Sequence, residues 1–385
     1  MSFDTIDLLS GKIFQITWDL GRRCNYDCTY CPAHRHDNFS KHATLDQLKD
    51  NVDFLFEYTD LYMQHRHLKI ANVGFTGGEP TVNPNFIPFS KYLKQEYEEK
   101  YKDKWEADFA LTTNGAMGEK MGQAVMENFG HATVSYHSES DQKLKKQVKD
   151  RILQFHYQGG LHNFTVSVNV MFHAEYFDEC VALCEFLKQH DVDFVPRVIG
   201  EEPDSKPTFA HKYNDDQLAW MKNYWKEKND AMYANSAAGD VVKNKQKLGS
   251  SIGRPCCGSR DMMLFNGMEK RKSTFVDFRQ FKGWQCSVNW FFLHLEQQTD
   301  QVFHHQTCQA KFDGTRGRIG KISEGKKLIE DLREQMDNGE LPLIVCPKHT
   351  CGCGLCAPKS KFSNKIFEVL DNHIDIGVLN DHHRQ

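Results

Sequence analysis

Residues 13–31, IFQITWDLGRRCNYDCTYC, decide how the rest of the chain is interpreted. Residues 13–20 mix apolar and polar side chains with β-branched residues, which predicts a short strand. Three cysteines follow directly, with three and then two residues separating Cys24, Cys28 and Cys31. This spacing lets three thiolates converge on one loop, and thiolates are ligands for zinc and for iron–sulfur clusters. The segment therefore predicts a metal-binding loop at the end of a strand.

The cysteine triad has two candidate occupants. Three thiolates can hold three irons of a [4Fe–4S] cluster and leave the fourth iron open to a small molecule. A zinc site normally has a fourth protein ligand, which His34 or His36 could supply. The spacing alone leaves both interpretations open.

Five further β-rich segments follow, separated by amphipathic helical segments. The predicted strands are 13–20, 70–75, 109–113, 132–137, 164–172 and 192–199, and the clearest helices are 45–63, 84–100 and 177–190. Each helical segment is long enough to cross over between parallel strands. Six β/α units predict an α/β fold, a partial (β/α)6 barrel, in which ligands gather at the carboxyl ends of the strands.

The composition fits a folded protein of this class. Of 385 residues, 39% are hydrophobic and 26% are charged, which is enough apolar material for a packed core. The formal net charge of -4 argues against a broadly cationic nucleic-acid-binding protein. No apolar run approaches the roughly eighteen residues of a membrane span, and the first residues lack a signal-peptide pattern. We therefore expect a cytoplasmic protein without a nucleic-acid or membrane partner.

Cysteine is the informative residue type. Thirteen cysteines, an odd number, argue against a disulfide framework and favour metal ligation. Cys180 and Cys184 are four residues apart in a helical segment beside apolar residues, which predicts a place in the core. Eight others lie between Cys256 and Cys356, so the chemistry is expected near the two ends of the chain.

A second motif follows the second predicted strand, where Gly77, Gly78, Glu79 and Pro80 spell GGEP. Two glycines let a backbone approach a ligand closely, and a strand end exposes amides and carbonyls to it. The CxxxCxxC loop after the first strand, Tyr30 before its third cysteine, and this GGEP together resemble the radical S-adenosylmethionine (SAM) superfamily.

The resemblance implies an enzyme that cleaves SAM reductively to methionine and a 5′-deoxyadenosyl radical, which abstracts hydrogen from a substrate. It implies that Cys24, Cys28 and Cys31 hold a [4Fe–4S] cluster whose open iron binds SAM. It also implies a reductant such as flavodoxin or ferredoxin, and a peptide or small-molecule substrate. A non-catalytic iron–sulfur or zinc-binding electron-transfer protein is the alternative, and it would need neither GGEP nor an open triad.

The same resemblance implies polar contacts to SAM or substrate at the strand ends, with Tyr30 near the adenine. The candidate cofactor-binding residues are Tyr30, Gly77, Gly78, Glu79, Pro80, Thr113, Asn114, Ser135, His137, Asn169 and Arg197. Two of them have simpler roles open to them. Asn114 before Gly115 could form a turn, and Arg197 could pair with a helix carboxylate.

The β/α alternation ends near residue 213. We predict a barrel over residues 1–213, a helical linker over 214–255, a small Cys-rich α+β domain over 256–358 and a tail over 359–385. The linker contains the Lys, Gly and Ser-rich segment VVKNKQKLGSSIGR at 241–254. A Cys-rich domain of this size usually needs a bound metal to fold.

The C-terminal cysteines predict a second metal site. Cys286 and Cys308 bracket two alternating arms, which predict a hairpin that returns both cysteines to one place, and a predicted helix follows at 323–337. Two thiolates from this hairpin and two from the later run would complete a four-cysteine site. The candidate ligands are Cys286, Cys308, Cys346, Cys351, Cys353 and Cys356.

This arrangement is similar to the auxiliary-cluster domains, called SPASM or twitch, that follow many radical SAM barrels. Trp290 stands where that family usually has Gly, and a structural zinc is the competing interpretation. Cys256 and Cys257 are adjacent, a poor geometry for two ligands to one metal, so we expect at most one of them to bind.

Overall fold

The computed structural model describes residues 5–6, 13–200, 209–236, 282–286, 288–305, 318–339, 344–346 and 359–360. The strands of its main sheet are β1 (Ile13–Asp19), β2 (Ile70–Thr76), β3 (Glu106–Thr113), β4 (His131–His137), β5 (Thr165–Phe172), β6 (Asp193–Val198), β7 (Phe292–Glu296), β8 (Gln301–Phe303) and β9 (Arg318–Gly320). The helices are α1 (Leu45–His65), α2 (Phe86–Lys100), α3 (Glu119–Asn128), α4 (Gln142–Gly159), α5 (Phe177–Gln189), α6 (Asp215–Ser236) and α7 (Gly325–Asp337).

Strands β1 to β6 are parallel and lie side by side in sequence order. Helices α1 to α5 occupy the five connections between them. The predicted series of six β/α units, and with it the α/β fold class, is confirmed. The carboxyl ends of all six strands therefore meet at one edge of the sheet.

Helix α1 shows how the local sequence fixes such a connection. It begins with a capping box, in which Gln47 N donates to Thr44 Oγ1 (3.2 Å) and Thr44 N donates to Gln47 Oε1 (3.0 Å). Leu48, Val52 and Leu55 repeat at intervals of three to four residues and are all buried. The capped helix thus packs one apolar face against the core.

The sheet has two unlike faces because side chains alternate along each strand. In β1 and β2, buried residues alternate with partly exposed ones. Trp18 belongs to the buried set and packs on Phe75 and Phe89, at ring-centroid separations of 5.8 and 5.6 Å. Asp19 and Thr76, which are paired in register, belong to the partly exposed set. The second face is left for polar side chains.

The predicted C-terminal hairpin forms, and it also extends the main sheet. Strand β7 pairs antiparallel with β8, and β8 pairs antiparallel with β9. Strand β7 in addition runs parallel beside β1, with Gln15 opposite Phe292 and Asp19 opposite Glu296. The unpaired edge of β1 thereby receives hydrogen-bonding partners, which an exposed edge strand would lack.

Other parts of the chain also bear on the predictions. Cys180 and Cys184 are buried in the core, as expected from their helical spacing. Much of the predicted linker and the residues around Cys256 and Cys257 lie outside the described ranges, so the domain boundaries stay a prediction. Among the described helices, none has the length and apolar character needed to cross a membrane.

Candidate active site

A cavity of about 360 Å³ lies at the carboxyl ends of strands β1 to β6. Ten of the predicted site residues line it, namely Cys24, Cys28, Cys31, Tyr30, Gly77, Gly78, Thr113, Asn114, Ser135 and His137. Four others, Glu79, Pro80, Asn169 and Arg197, are not on its wall. The fold therefore brings the cysteine loop, the two glycines and the ends of β3 and β4 to one place.

The three cysteines are free thiols, with Cys28 buried and Cys24 and Cys31 partly buried. Burial raises the pKa of the Cys24 thiol to about 11. Burial also raises the pKa of Cys28 and of Cys31, although at Cys31 the Arg35 guanidinium opposes the effect. Buried thiols of this kind become thiolates when a bound metal supplies the compensating positive charge.

The separation of the thiols bears on which metal they can hold. Sulfur ligands of one zinc ion lie about 3.8 Å apart, because each Zn–S bond is about 2.3 Å long in a tetrahedral site. The three thiols of the triad do not all lie within 4.8 Å of one another. In the described part of the chain, one other group of three His, Cys, Asp or Glu side chains does meet this limit, with one ligand atom from each residue. The thiols are therefore not drawn together as the ligands of one zinc ion would be, and their arrangement is compatible with the larger iron–sulfur cluster.

The two glycines pack the cysteine loop against the end of β2. Gly78 N donates to Gly21 O at 2.8 Å. A Cβ atom on Gly77 would lie 2.5 Å from Gly21 O, and one on Gly78 would lie 2.1 Å from Arg22 O. Backbone contacts this close exclude a side chain, so both positions require glycine.

Glu79 lies behind the cavity wall and is only 2% exposed. Its carboxylate accepts hydrogen bonds from Thr81 N (3.1 Å), Thr81 Oγ1 (2.6 Å), Thr113 Oγ1 (2.8 Å) and Asn114 N (2.6 Å). Burial raises the pKa of Glu79, and these hydrogen bonds oppose that rise. The carboxylate ties the end of β2 to the end of β3 and so positions Asn114 on the wall.

Asn114 forms the turn that its place before Gly115 allowed, and it also contacts the cysteine loop. Its Oδ1 accepts from Ala116 N (2.9 Å), which forms a turn, while its Nδ2 donates to Asn25 Oδ1 (2.7 Å) in the cysteine loop. Asn169 and Arg197 bond to each other across β5 and β6, with Arg197 Nε donating to Asn169 Oδ1 at 2.9 Å.

An aromatic group encloses one side of the cavity. The Tyr30 hydroxyl lies 2.6 Å from His137 Nδ1, and the two rings are stacked at a centroid separation of 6.0 Å. Tyr26 packs edge-on against His137 at 5.7 Å. Burial lowers the pKa of His137 to about 4, so its ring is neutral near pH 7.

Sequence reasoning missed Glu139, which anchors the middle of the cysteine loop from the end of β4. Its carboxylate accepts from Thr29 N (2.8 Å), Thr29 Oγ1 (2.5 Å) and His173 Nε2 (3.1 Å). Thr29 directly follows Cys28, so these bonds hold the backbone between two predicted metal ligands. No local motif distinguishes Glu139 from an ordinary exposed glutamate.

We expect Glu139→Ala to lower the iron content of the N-terminal site, because both Thr29 bonds are lost and His173 is left without an acceptor. Each buried group left without a partner costs about 1–3 kcal/mol. Glu139→Gln should retain more iron, since its amide oxygen can still accept. Iron per chain after anaerobic reconstitution measures the effect, with the exposed Glu185→Ala as control. Equal iron in all three variants would contradict the anchoring role.

The structure brings one cysteine of each predicted C-terminal group onto neighbouring backbone segments, two positions apart in register. The short strand Gln285–Cys286 pairs with Ile344–Val345, and Cys286 lies opposite Ile344. Cys346 N also donates to Trp284 O at 2.9 Å. The other predicted ligands, Cys308, Cys351, Cys353 and Cys356, lie outside the described residues.

Comparison with known sequences gives a family match over part of the chain. Residues 18–187 match the family model of the Radical SAM superfamily. Two GTP 3′,8-cyclases are similar over 154 residues, at 25% identity in Aliarcobacter butzleri (strain RM4018) and 27% in Nautilia profundicola (strain ATCC BAA-1463 / DSM 18972 / AmH). These alignments cover 39% of this chain and 43% and 44% of the cyclases, so the match spans less than half of each relative.

Solved structures of anSMEcpe with bound AdoMet align over nearly the whole chain. A hexahistidine-tagged form gives a TM-score of 0.49 at 13% identity, covering 96% of this chain and 98% of that chain. The native form gives a TM-score of 0.48 at 12% identity, covering 97% of this chain and 99% of that chain.

Proposed function

Through its residues 18–187 the chain belongs to the radical SAM superfamily, and we propose that the protein is an enzyme that uses SAM as its source of a radical. A [4Fe–4S] cluster bound to the triad would supply the electron that cleaves SAM to methionine and a 5′-deoxyadenosyl radical, which abstracts hydrogen from the substrate. One observation carries the proposal: a single cavity is lined by Cys24, Cys28, Cys31 and the glycine pair.

The residues around the cavity suit this role. Asn114 and Ser135 offer polar groups at the ends of β3 and β4, where they can bind the ribose or carboxylate of SAM, whereas the Thr113 hydroxyl is already bonded to Glu79. Apolar side chains, including Met171 and Ile199, line another part of the wall. Such a wall limits the access of water to a reactive intermediate.

The partners of the proposed enzyme follow from the same chemistry. It needs an external one-electron reductant, for which a flavodoxin or a ferredoxin is suited, and its substrate is a peptide or a small molecule. We place it in the cytoplasm, because free thiols and iron–sulfur ligands persist in a reducing compartment.

Electron paramagnetic resonance (EPR) of the dithionite-reduced protein tests the proposal. Adding SAM should shift the spectrum of the N-terminal cluster, because SAM bound to the open iron changes its electronic environment. The same addition to a variant that lacks the triad should leave the remaining spectrum unchanged. An unshifted wild-type spectrum at saturating SAM would show that the triad leaves no usable iron site.

We further propose an auxiliary [4Fe–4S] cluster of the SPASM or twitch kind on the C-terminal cysteines. The strand pairing supports it, because it brings the segment of Cys286 beside the segment that leads into Cys346, whose backbone bonds to Trp284 two residues before Cys286. The ligand set proposed is Cys286, Cys308 and two of the four cysteines Cys346, Cys351, Cys353 and Cys356.

Iron content tests the auxiliary cluster. Anaerobically reconstituted protein should bind about eight irons per chain, four for each cluster. Replacing Cys24, Cys28 and Cys31 together by Ala should leave about four irons. Metal analysis of this triple variant decides between the two metals. Zinc in place of the residual iron would overturn the auxiliary cluster without affecting the radical proposal.

A further inference from the structure

Three side chains at the junction of β1 and β7 form a group that the proposed SAM chemistry does not use. Asp19 ends β1, and His294 and Glu296 lie on β7, where Glu296 is directly opposite Asp19. One potential ligand atom from each residue lies within 4.8 Å of the others. Within the described residues, no other set of three His, Cys, Asp or Glu side chains meets this condition.

The imidazole of His294 lies between the two carboxylates and is fully buried. Its Nε2 is 3.2 Å from Asp19 Oδ2, and its Nδ1 is 3.9 Å from Glu296 Oε1. When Nε2–H donates to Asp19, Nδ1 carries a lone pair. A lone pair facing a carboxylate oxygen is repulsive unless a proton or a metal ion lies between the two atoms, and 3.9 Å is too long for the hydrogen bond that a proton would make.

Two atoms of the group are buried without a hydrogen-bond partner, Asp19 Oδ1 and His294 Nδ1. A buried polar atom without a partner costs about 1–3 kcal/mol, so two of them in one group of three side chains call for an explanation. Both atoms are electron-pair donors that can bind a cation. The group is therefore incomplete as a set of hydrogen bonds and suited to a metal ion.

The group also borders the cavity described above. Asp19 is paired in register with Thr76, and Thr76 lines that cavity. Because residues two apart on a strand share a face, His294 and Glu296 project from the same face of β7. An ion held here lies beside the space in which the substrate of the proposed enzyme would bind.

We propose that Asp19, His294 and Glu296 bind a divalent first-row transition-metal ion, such as Mn²⁺, Fe²⁺ or Zn²⁺. Bonds from such ions to imidazole and carboxylate ligands are about 2.0–2.2 Å long, so ligand atoms on opposite sides lie up to about 4.4 Å apart. The observed spread reaches this range after a small adjustment. Three protein ligands leave coordination positions open for an oxygen of another molecule.

The open positions suggest a substrate class, and this step rests on the proposed radical SAM function. A metal beside the cavity binds a substrate through a hydroxyl or carboxylate oxygen and so orients the carbon from which hydrogen is removed. The binding of the ion itself requires no radical chemistry. The two inferences can therefore fail separately.

Mn²⁺ is the probe for the test, because it prefers nitrogen and oxygen ligands over the thiolates of the cluster sites. The holoprotein is kept oxidised, a state in which [4Fe–4S] clusters give no EPR signal, and is titrated with Mn²⁺ by EPR. We expect one Mn²⁺ bound per chain. His294→Gln and Asp19→Asn should weaken binding by at least about tenfold, whereas His162→Ala, a histidine remote from this group in the sequence and fold, should bind as wild type does.

Both ligand variants keep the size of the side chain, and their unfolding midpoints without metal show whether they fold. Mn²⁺ should raise the midpoint of the wild type and leave that of folded Asp19→Asn unchanged. A Cys28→Ala variant should bind Mn²⁺ with wild-type affinity, which separates this site from the SAM site. Absence of Mn²⁺ binding in the wild type, or equal binding in folded Asp19→Asn, would overturn the proposal.

Discussion

Dithionite-reduced protein incubated with SAM alone should slowly form 5′-deoxyadenosine, and Cys28→Ala should form none. Cleavage without substrate needs only the open iron, an electron and bound SAM, so it reports on the chemistry before the substrate is known. Cys28 is the most buried thiol of the triad, and the other two cysteines on the cavity wall, Cys24 and Cys31, would already be cluster ligands. Without it the cluster loses one of its three attachments.

Chromatographic quantification of 5′-deoxyadenosine measures this effect. Cys184→Ala is the matched control, because it removes a buried thiol from the core of α5, away from the cavity. It should cost about 1 kcal/mol of stability and retain cleavage. Cleavage at the wild-type rate in Cys28→Ala would rule out this triad as the site of SAM reduction.

The second large effect, on stability and on iron content, is expected from a substitution that adds a single methyl group at Gly78. Gly78→Ala places a Cβ atom 2.1 Å from Arg22 O and 2.5 Å from the carbonyl carbon of the same residue. Backbone cannot move aside as a flexible side chain can, so the loop that leads to Cys24 must separate from the end of β2. We expect a loss of about 1–3 kcal/mol in the free energy of unfolding, together with poor iron incorporation at the triad.

Urea unfolding and iron analysis measure the two effects of Gly78→Ala. Gly160→Ala is the matched control, since its backbone is helical and a Cβ atom there meets nothing within 4 Å. The control should be neutral or slightly stabilising, because alanine restricts the unfolded chain. Equal stability and iron content in the two variants would show that the glycine contact does not hold the loop.

The regular elements of this protein were predictable because their signals are local. The helix predicted at 177–190 is α5 (Phe177–Gln189), and the strand predicted at 70–75 is β2 (Ile70–Thr76). Alternation and helical periodicity relate residues that are a few positions apart, so they can be recognised in the sequence without knowledge of the fold. The cysteine spacing and the GGEP motif are local in the same way.

What the sequence did not predict depends on distant partners. Glu139 meets Thr29 across 110 positions, and β7 joins β1 although nearly the whole barrel separates them in sequence. The alternating sequences of the two hairpin arms predicted strands, but they did not predict which edge of the main sheet those strands would join. Glu79 shows a further limit, because its motif identified it as functional, whereas only the fold shows that it bonds to the end of β3.

The parallel pairing of β1 with β7 has a consequence for how the chain is made. During synthesis β1 emerges before β7, which follows some 270 residues later. Until then one edge of the sheet has no partner, and an open edge pairs readily with edges of other unfinished chains. Fragments that stop before residue 282 would keep this edge permanently, so we expect them to aggregate even though they contain all six β/α units. Production of the protein is therefore best attempted with the C-terminal strands present, slowly and at low temperature.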